Sequence, residues 1–360
     1  MKNSIIITYI LAFFCLSIFI AHFTQATDFP VFYSTAKTIL ENGLFTDKIY
    51  EIDHHNKYSI PEENRDLTFI YSKAAAILLS PLGFLPYYWA KTLLVFLNIV
   101  SYLAGVYVVL KICKPKPRME FIFWGTSFFW LPFVQVLRFG QVDGILFLLI
   151  AASLNFCTKN KPWIAGLFLS LAMFFKLFPI AIAFALGIKE RRILISSILF
   201  FSISLLIPNS TLWFPAIPKI YSKAYSLIYL NLLSYGTWAY LLYVTIITGI
   251  TALLIILENE NDYQRIFSFI IPGLFLVVPI VEYYHLTMLI ISFISAFSLI
   301  TLKSKPISSL FIFLSLISIS VSITVGVQPI TFLGLFIIWS FHGHAMISLL
   351  NSKRNYGKLL

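Results

Sequence analysis

This chain's composition predicts an all-α polytopic membrane protein, with about twelve membrane crossings and both termini in the cytoplasm. Three observations support that expectation. Of 360 residues, 59% are hydrophobic and only 11% charged, and mean hydropathy is +0.88, which excludes an ordinary soluble domain. Apolar residues recur in blocks of about 18–22, the length a helix needs to cross the hydrocarbon core, with short polar breaks between them. The basic residues fall in alternate breaks, the pattern that orients a multi-pass protein. A formal charge of +11 raises the question of nucleic acid, but no basic patch occupies a soluble face, so no nucleic-acid partner is expected.

The first block, residues 5–23 (IIITYILAFFCLSIFIAHF), is long enough to span. Lys2, the apolar core and Thr24 to Thr27 also fit a cleavable signal. Cleavage would leave an odd number of spans and place the later basic breaks outside, so a retained first helix is expected. A polar loop over about residues 24–73 follows, holding Asp28, Glu41, Asp47, Glu51, Asp53, Glu62, Glu63 and Asp66, eight of the fifteen acidic residues. Within it Phe29, Phe32, Tyr33, Ala36 and Leu40 repeat at helical spacing and Gly43 follows as a stop, which predicts an amphipathic helix with Asp28 at its start.

Orientation rests on Lys2, Lys111 to Arg118, Lys159 and Lys161, Lys189 to Arg192, Arg265, Lys303 and Lys305, and the basic tail. Placed together inside, these breaks contribute sixteen basic residues, leaving ten outside among ten acids. Two segments control the parity. Residues 162–188 number 27 and have basic residues at both ends. They are read as two half-length helices turning at Phe175 to Pro179, each about 13 residues or roughly 20 Å long. Residues 74–89 contain Pro81, Gly83 and Pro86 and are read as a broken interfacial segment. No linker or internal repeat divides the chain, so residues 1–360 are expected to form a single integral membrane domain.

Ionisable groups at membrane depth are costly and usually functional. In this orientation the few available gather toward the outer face: Asp28, Arg138, Asp143, Lys176, Glu282 and His285. Each has a structural explanation beside the chemical one. Asp28 can cap its helix with Pro30 in the first turn, or act as a fixed base where membrane meets water. Around Arg138, Gln141 and Asp143 a tight turn at Gly140 suffices, with Arg138 reaching the headgroups. Lys176 can snorkel, or hold a phosphate at the hairpin tip. His285 can be a satisfied core histidine, with Glu282 on the same helix face.

Familiar motifs are missing from the sequence: no phosphate-binding glycine loop, no HExxH and no Cys/His ligand set. Glu51, Asp53, His54 and His55 read as a solvated turn. Cys15, Cys113 and Cys157 form no pair spacing and read as small buried hydrophobes. No cofactor and no obligatory metal are expected.

Five pieces in order resemble glycosyltransferase family 87, polytopic enzymes of the GT-C superfamily that use polyprenyl-phosphate sugars. Asp28 and Phe29 with Tyr33, Ala36, Gly43 and Tyr50 resemble the family's opening stretch. Phe69 to Tyr71, then Leu78 to Leu82 and Leu85-Pro86, are similar to its next segment, although Ser72 and Lys73 stand where the family often has a proline. Gly140, Gln141 and Asp143 resemble the family's GQ.(D/N) turn, Ala165 to Pro179 its AG…K..P segment, and Glu282 to His285 its late acid/His region. The resemblance implies a GT-C-like fold in a bacterial inner (plasma) membrane. It also implies transfer of a hexose, mannose being the expected one, from a polyprenyl-phosphate donor to a lipid or glycan acceptor outside. Asp28 would be the general base of an inverting displacement. Arg138, Lys176 and His285 would meet the donor phosphate, and Gln141, Asp143, Glu282 and Tyr33 the sugar or acceptor. The alternatives are a transporter or flippase for a lipid-linked saccharide, which more often shows repeated halves, and a non-catalytic scaffold.

Overall fold

The computed structural model describes residues 2–24, 27–51, 53, 57–58, 69–208, 237–258, 262–277, 283–303, 312–320 and 328–356. These are helical with no strand among them. The helices begin with α1 (Lys2–Phe23), α2 (Phe29–Asn42), α3 (Lys73–Leu79), α4 (Tyr87–Cys113), α5 (Pro117–Phe128), α6 (Leu131–Phe139) and α7 (Asp143–Thr158). They continue with α8 (Pro162–Phe175), α9 (Pro179–Gly187), α10 (Arg191–Leu205), α11 (Thr237–Leu257), α12 (Tyr263–Val277), α13 (Ile290–Lys303) and α14 (Gln328–Tyr356). Residues 312–320 are helical too.

Among the described residues one helix, α4, is long and apolar enough by itself to cross a membrane, with 27 residues at mean hydropathy 2.3. At the α-helical rise it measures about 40 Å. Pro86 precedes it in extended backbone, and it stops where Lys114 turns left-handed at φ 46°. Shorter apolar helices include α7, α8 and α12.

Residues 162–188 form two helices. Lys176 leaves α8 in an extended conformation (φ −148°, ψ 143°) and Pro179 opens α9, so the break falls where the Lys176–Pro179 turn was expected. Residues 74–89 are also interrupted. Helix α3 runs into a 3₁₀ turn at Ser80–Phe84, but Tyr87 to Trp89 belong to α4, so the broken segment is shorter than its sequence suggested.

Helix α2 packs on α3 and the 3₁₀ turn through Phe29, Phe32, Tyr33, Ala36 and Ile39, all buried. Leu40, counted in the apolar repeat, is exposed, and Ile39 takes the inward position. Each fully buried large side chain on this face contributes roughly 1.5–3 kcal/mol. Gly43 ends α2 at φ 90°.

A larger apolar core joins α4 to α7, α7 to α8, α8 to α10 and α12 to α14, with α1 along α4. It has two chemically different ends. At one end Lys111, Lys114, Lys159, Asn160, Asp262 and Gln264 line a single polar cleft, and Lys189 Nζ donates to the Ile256 carbonyl at 3.2 Å and to that of Glu258. Four basic breaks therefore share one end, as an orientation with all of them on one membrane face requires. Asp28, Gln141, Asp143 and Lys176 meet at the other end.

Close approach of α8 and α10 requires a glycine. A Cβ at Gly166 would lie 1.7 Å from Ser196 Oγ and 2.6 Å from the Ile193 carbonyl, and that backbone atom cannot rotate away. Gly166→Leu should therefore cost about 3 kcal/mol or more, read as a large fall in Tm of detergent-solubilised protein. Gly125→Ala, where nothing lies within 4 Å of the added Cβ, should leave Tm within a few degrees; equal falls would contradict this packing.

Candidate functional site

The site is built on the turn between α6 and α7. Gly140 sits at the left-handed C-cap of α6 (φ 69°, ψ 36°), a conformation that favours glycine. The Gln141 amide then donates back to the Val136 carbonyl at 3.0 Å. Asn98, buried in the middle of α4, fixes the rest of the turn. Its Nδ2 donates to the Gln141 carbonyl at 2.8 Å and its Oδ1 accepts from Gly144 N–H at 2.9 Å. Val142 is the N-cap of α7 and Asp143 its first residue.

Asp28 is tied to this turn twice. Its N–H donates to the Phe139 carbonyl at 3.0 Å, and its Oδ2 accepts from Gln141 Nε2 at 2.6 Å. It occupies the N-cap position of α2 but makes no side-chain cap bond. The carboxylate is thus turned away from its own helix and toward Gln141. Burial pushes its pKa above the usual carboxylate range; the Gln141 hydrogen bond and the Lys176 charge oppose that rise, and Asp143 adds to it. The amide is held at its other end, where Oε1 accepts from the Tyr71 hydroxyl at 3.2 Å, while Nε2 also reaches Tyr284 Oη at 3.4 Å.

Beside it lies a buried ion pair. Lys176 Nζ donates to Asp143 Oδ2 at 2.6 Å, with side-chain exposures of 8% and 0%. The same ammonium stands 4.5 Å from the centre of the Tyr284 ring. Asp143 Oδ1 has no hydrogen-bond partner among the described residues. His285 packs its ring on Tyr284 and Phe178 at centroid distances of 4.7 and 6.0 Å.

Arg138 is exposed, its guanidinium 5.7 Å from the Phe139 ring centre. It stands at the meeting of two concavities. One is an apolar groove between α1, α4 and α6, lined by Phe13, Leu16, Ile20, Tyr102, Phe133 and Leu137 among others. The second is bounded by Phe23, Thr24, Thr27 and Phe139, the last of which accepts the Asp28 N–H.

Of the residues singled out in the sequence, the structure brings Asp28, Gln141, Asp143, Lys176 and His285 together, with Arg138 adjoining. Tyr33 is not brought there: it is buried, and its hydroxyl donates to the Leu85 carbonyl at 3.1 Å. Glu282 lies outside the described residues, as do His54 and His55. The sequence did not single out Asn98, Tyr71 or Tyr284 for a role. Asn98 is a lone amide in an apolar helix, which is the only signal it carries.

Removing one partner of a buried ion pair leaves an uncompensated charge. Lys176→Met should therefore destabilise the protein by about 3–5 kcal/mol. Adding Asp143→Leu should recover much of the loss, because the orphaned carboxylate is then gone. Thermal melts of the two variants check this; a double variant no more stable than the single one would contradict it.

Residues 69–235 match the model of glycosyltransferase family 87. No curated protein and no solved structure matches the chain. The matched segment contains Tyr71, Asn98, Arg138, Gln141, Asp143 and Lys176, while Asp28 and Tyr284 lie outside it and bond to its Gln141. Over that segment, just under half of the chain, the protein is similar to glycosyltransferase family 87, which indicates a glycosyltransferase.

Proposed function

We propose that the chain moves a hexose such as mannose from a polyprenyl-phosphate donor to a lipid or glycan acceptor at the outer face of the plasma membrane. The observation that carries the reading is one juxtaposition. Asp28 is bonded to the backbone of Phe139, and the preceding residue, Arg138, stands over an apolar groove. A prenyl chain suits such a groove, its phosphate suits the guanidinium that lines it, and the second cleft, bounded by Thr27 and Phe139, would take the sugar next to Asp28.

In this reading the acceptor hydroxyl gives its proton to Asp28 as its oxygen bonds to the anomeric carbon. The bond from that carbon to the phosphate oxygen breaks, and the lipid phosphate leaves with the electron pair. One displacement with one base inverts the anomeric centre. Gln141 holds Oδ2 of the carboxylate; Oδ1, with no hydrogen-bond partner among the described residues, is left for the proton. Arg138 meets the charge developing on the phosphate. Lys176 is paired with Asp143, so its charge acts on Asp28 and the donor from a fixed place, with His285 beside it. Asp143 Oδ1, Gln141 and Glu282 are the sugar-facing groups of the proposal. No metal enters it, since these cations supply the charge.

A base works only when ionised, so the rate should fall as pH drops through the pKa of Asp28. Burial raises that pKa, which places the acid limb above the usual carboxylate value of about 4. The direct test is sugar transfer from polyprenyl-phosphate mannose by the protein in nanodiscs. Asp28→Asn should lose at least about 100-fold in kcat. Arg138→Gln should raise donor KM about tenfold with a smaller effect on kcat. Transfer that survives Asp28→Asn removes the base assignment, and movement of lipid-linked sugar without transfer favours a flippase.

A further inference from the structure

Tyr71, Ser72 and Lys73 are consecutive, and each is bonded to a different part of the site. Tyr71 donates its hydroxyl to Gln141 Oε1 at 3.2 Å, while its carbonyl accepts from Tyr50 at 3.3 Å and its ring sits against Phe32 and Phe69. Ser72 donates to the Phe174 carbonyl, two residues before Lys176, at 2.7 Å. It also caps α3 by accepting from Ala75 N–H at 3.2 Å. Lys73 is fully buried. Its ammonium donates to the Phe45 carbonyl at 2.6 Å, the Pro208 carbonyl at 2.8 Å and Asp47 Oδ1 at 3.0 Å. Those three acceptors saturate its three N–H bonds.

We propose that Tyr71 is a positioning residue that fixes the Gln141 amide with its N–H toward Asp28, and that Ser72 and Lys73 anchor it there. A side-chain amide can present either end to a carboxylate. Only the N–H end suits an ionised one, because the oxygen end opposes lone pair to lone pair and is accepted only by the protonated acid. Gln141 is buried, so its Oε1 needs a donor on the far side, and Tyr71 provides it. Without that hydroxyl the buried oxygen is unsatisfied and the amide gains a reason to rotate. Rotation removes the side-chain hydrogen bond that, among the described residues, favours the ionised base. The other charged or titratable groups around Asp28 stay in place: Arg138 at the end of α6, Asp143 at the start of α7, Lys176 after α8, and Tyr284 and His285 in the 3₁₀ turn Tyr283–Leu289.

The test reads the protonation of Asp28 directly. Dicyclohexylcarbodiimide modifies protonated carboxyls in apolar surroundings, and mass spectrometry of the Asp28 peptide gives labelling against pH without any substrate. Tyr71→Phe, which keeps the ring, should raise the labelling midpoint by about one unit, one charge-assisted hydrogen bond in energy. Lys73→Met should raise it in the same direction, and Lys73→Arg should restore part of it. Tyr107→Phe, near the far end of α4, should not move it. The kinetic form of the inference rests on Asp28 being the base: the acid limb of transfer should shift by the same amount in Tyr71→Phe. A midpoint unchanged or lowered in both Tyr71→Phe and Lys73→Met, in variants that melt like the parent, overturns the proposal. If labelling shifts while the parent transfers no sugar, the positioning inference stands and the transferase mechanism falls.

Discussion

A separation of 2.6 Å between Gln141 Nε2 and Asp28 Oδ2 is the contact on which the site's construction converges. Asp28 stands at the start of α2 and Gln141 in the α6–α7 turn, far apart in the chain. Asp28 gives up the cap bond its position offers, and Gln141 is buried with both ends of its amide occupied. The left-handed Gly140 sets the turn, and Asn98 pins it through two backbone groups. The Asp28 N–H closes the loop on Phe139. Each of these bonds satisfies a polar group that would otherwise cost free energy in apolar surroundings.

The same constraint explains the neighbourhood. A charge withdrawn from water must find an opposite charge, and Lys176 and Asp143 find each other across the α8–α9 break. That break falls where Lys176 is extended and Pro179, which cannot continue α8, opens α9. Segments that turn back thus supply the cation, and the α6–α7 turn supplies the carboxylate and the amide. The result is polar chemistry concentrated at one end of a mostly apolar core, with the lysine-rich breaks at the other. The apolar groove lined by the exposed Arg138 is where the proposal seats the lipid phosphate.

Much of this was legible in the sequence because it rests on local chemistry. Proline, glycine and charge marked the break after Phe175, the turn at Gly140 and the interruption at Pro81, and helical spacing marked α2. The contacts that assemble the site were not legible, since they join distant positions. Asp28 also read as a cap, and the structure shows its side chain making no cap bond and accepting from Gln141 instead. Tyr33 fitted the site by its place in the chain, but its hydroxyl is spent on the Leu85 carbonyl. Lys73 looked like a departure from a family pattern and proves to be a fully buried ammonium with three acceptors. Leu40 and Ile39 exchanged places because one helical step decides which neighbour faces inward.

What the account requires above all is that the two ends of the molecule lie on opposite sides of the membrane. In a background without Cys15, Cys113 and Cys157, single cysteines at Thr27, beside the carboxylate, and at Lys159, in the basic cleft, can be probed on intact cells with an impermeant maleimide. The account predicts that position 27 reacts from outside and that position 159 reacts only after the membrane is opened. Reaction of both from the same side, or of position 159 alone from outside, would contradict it.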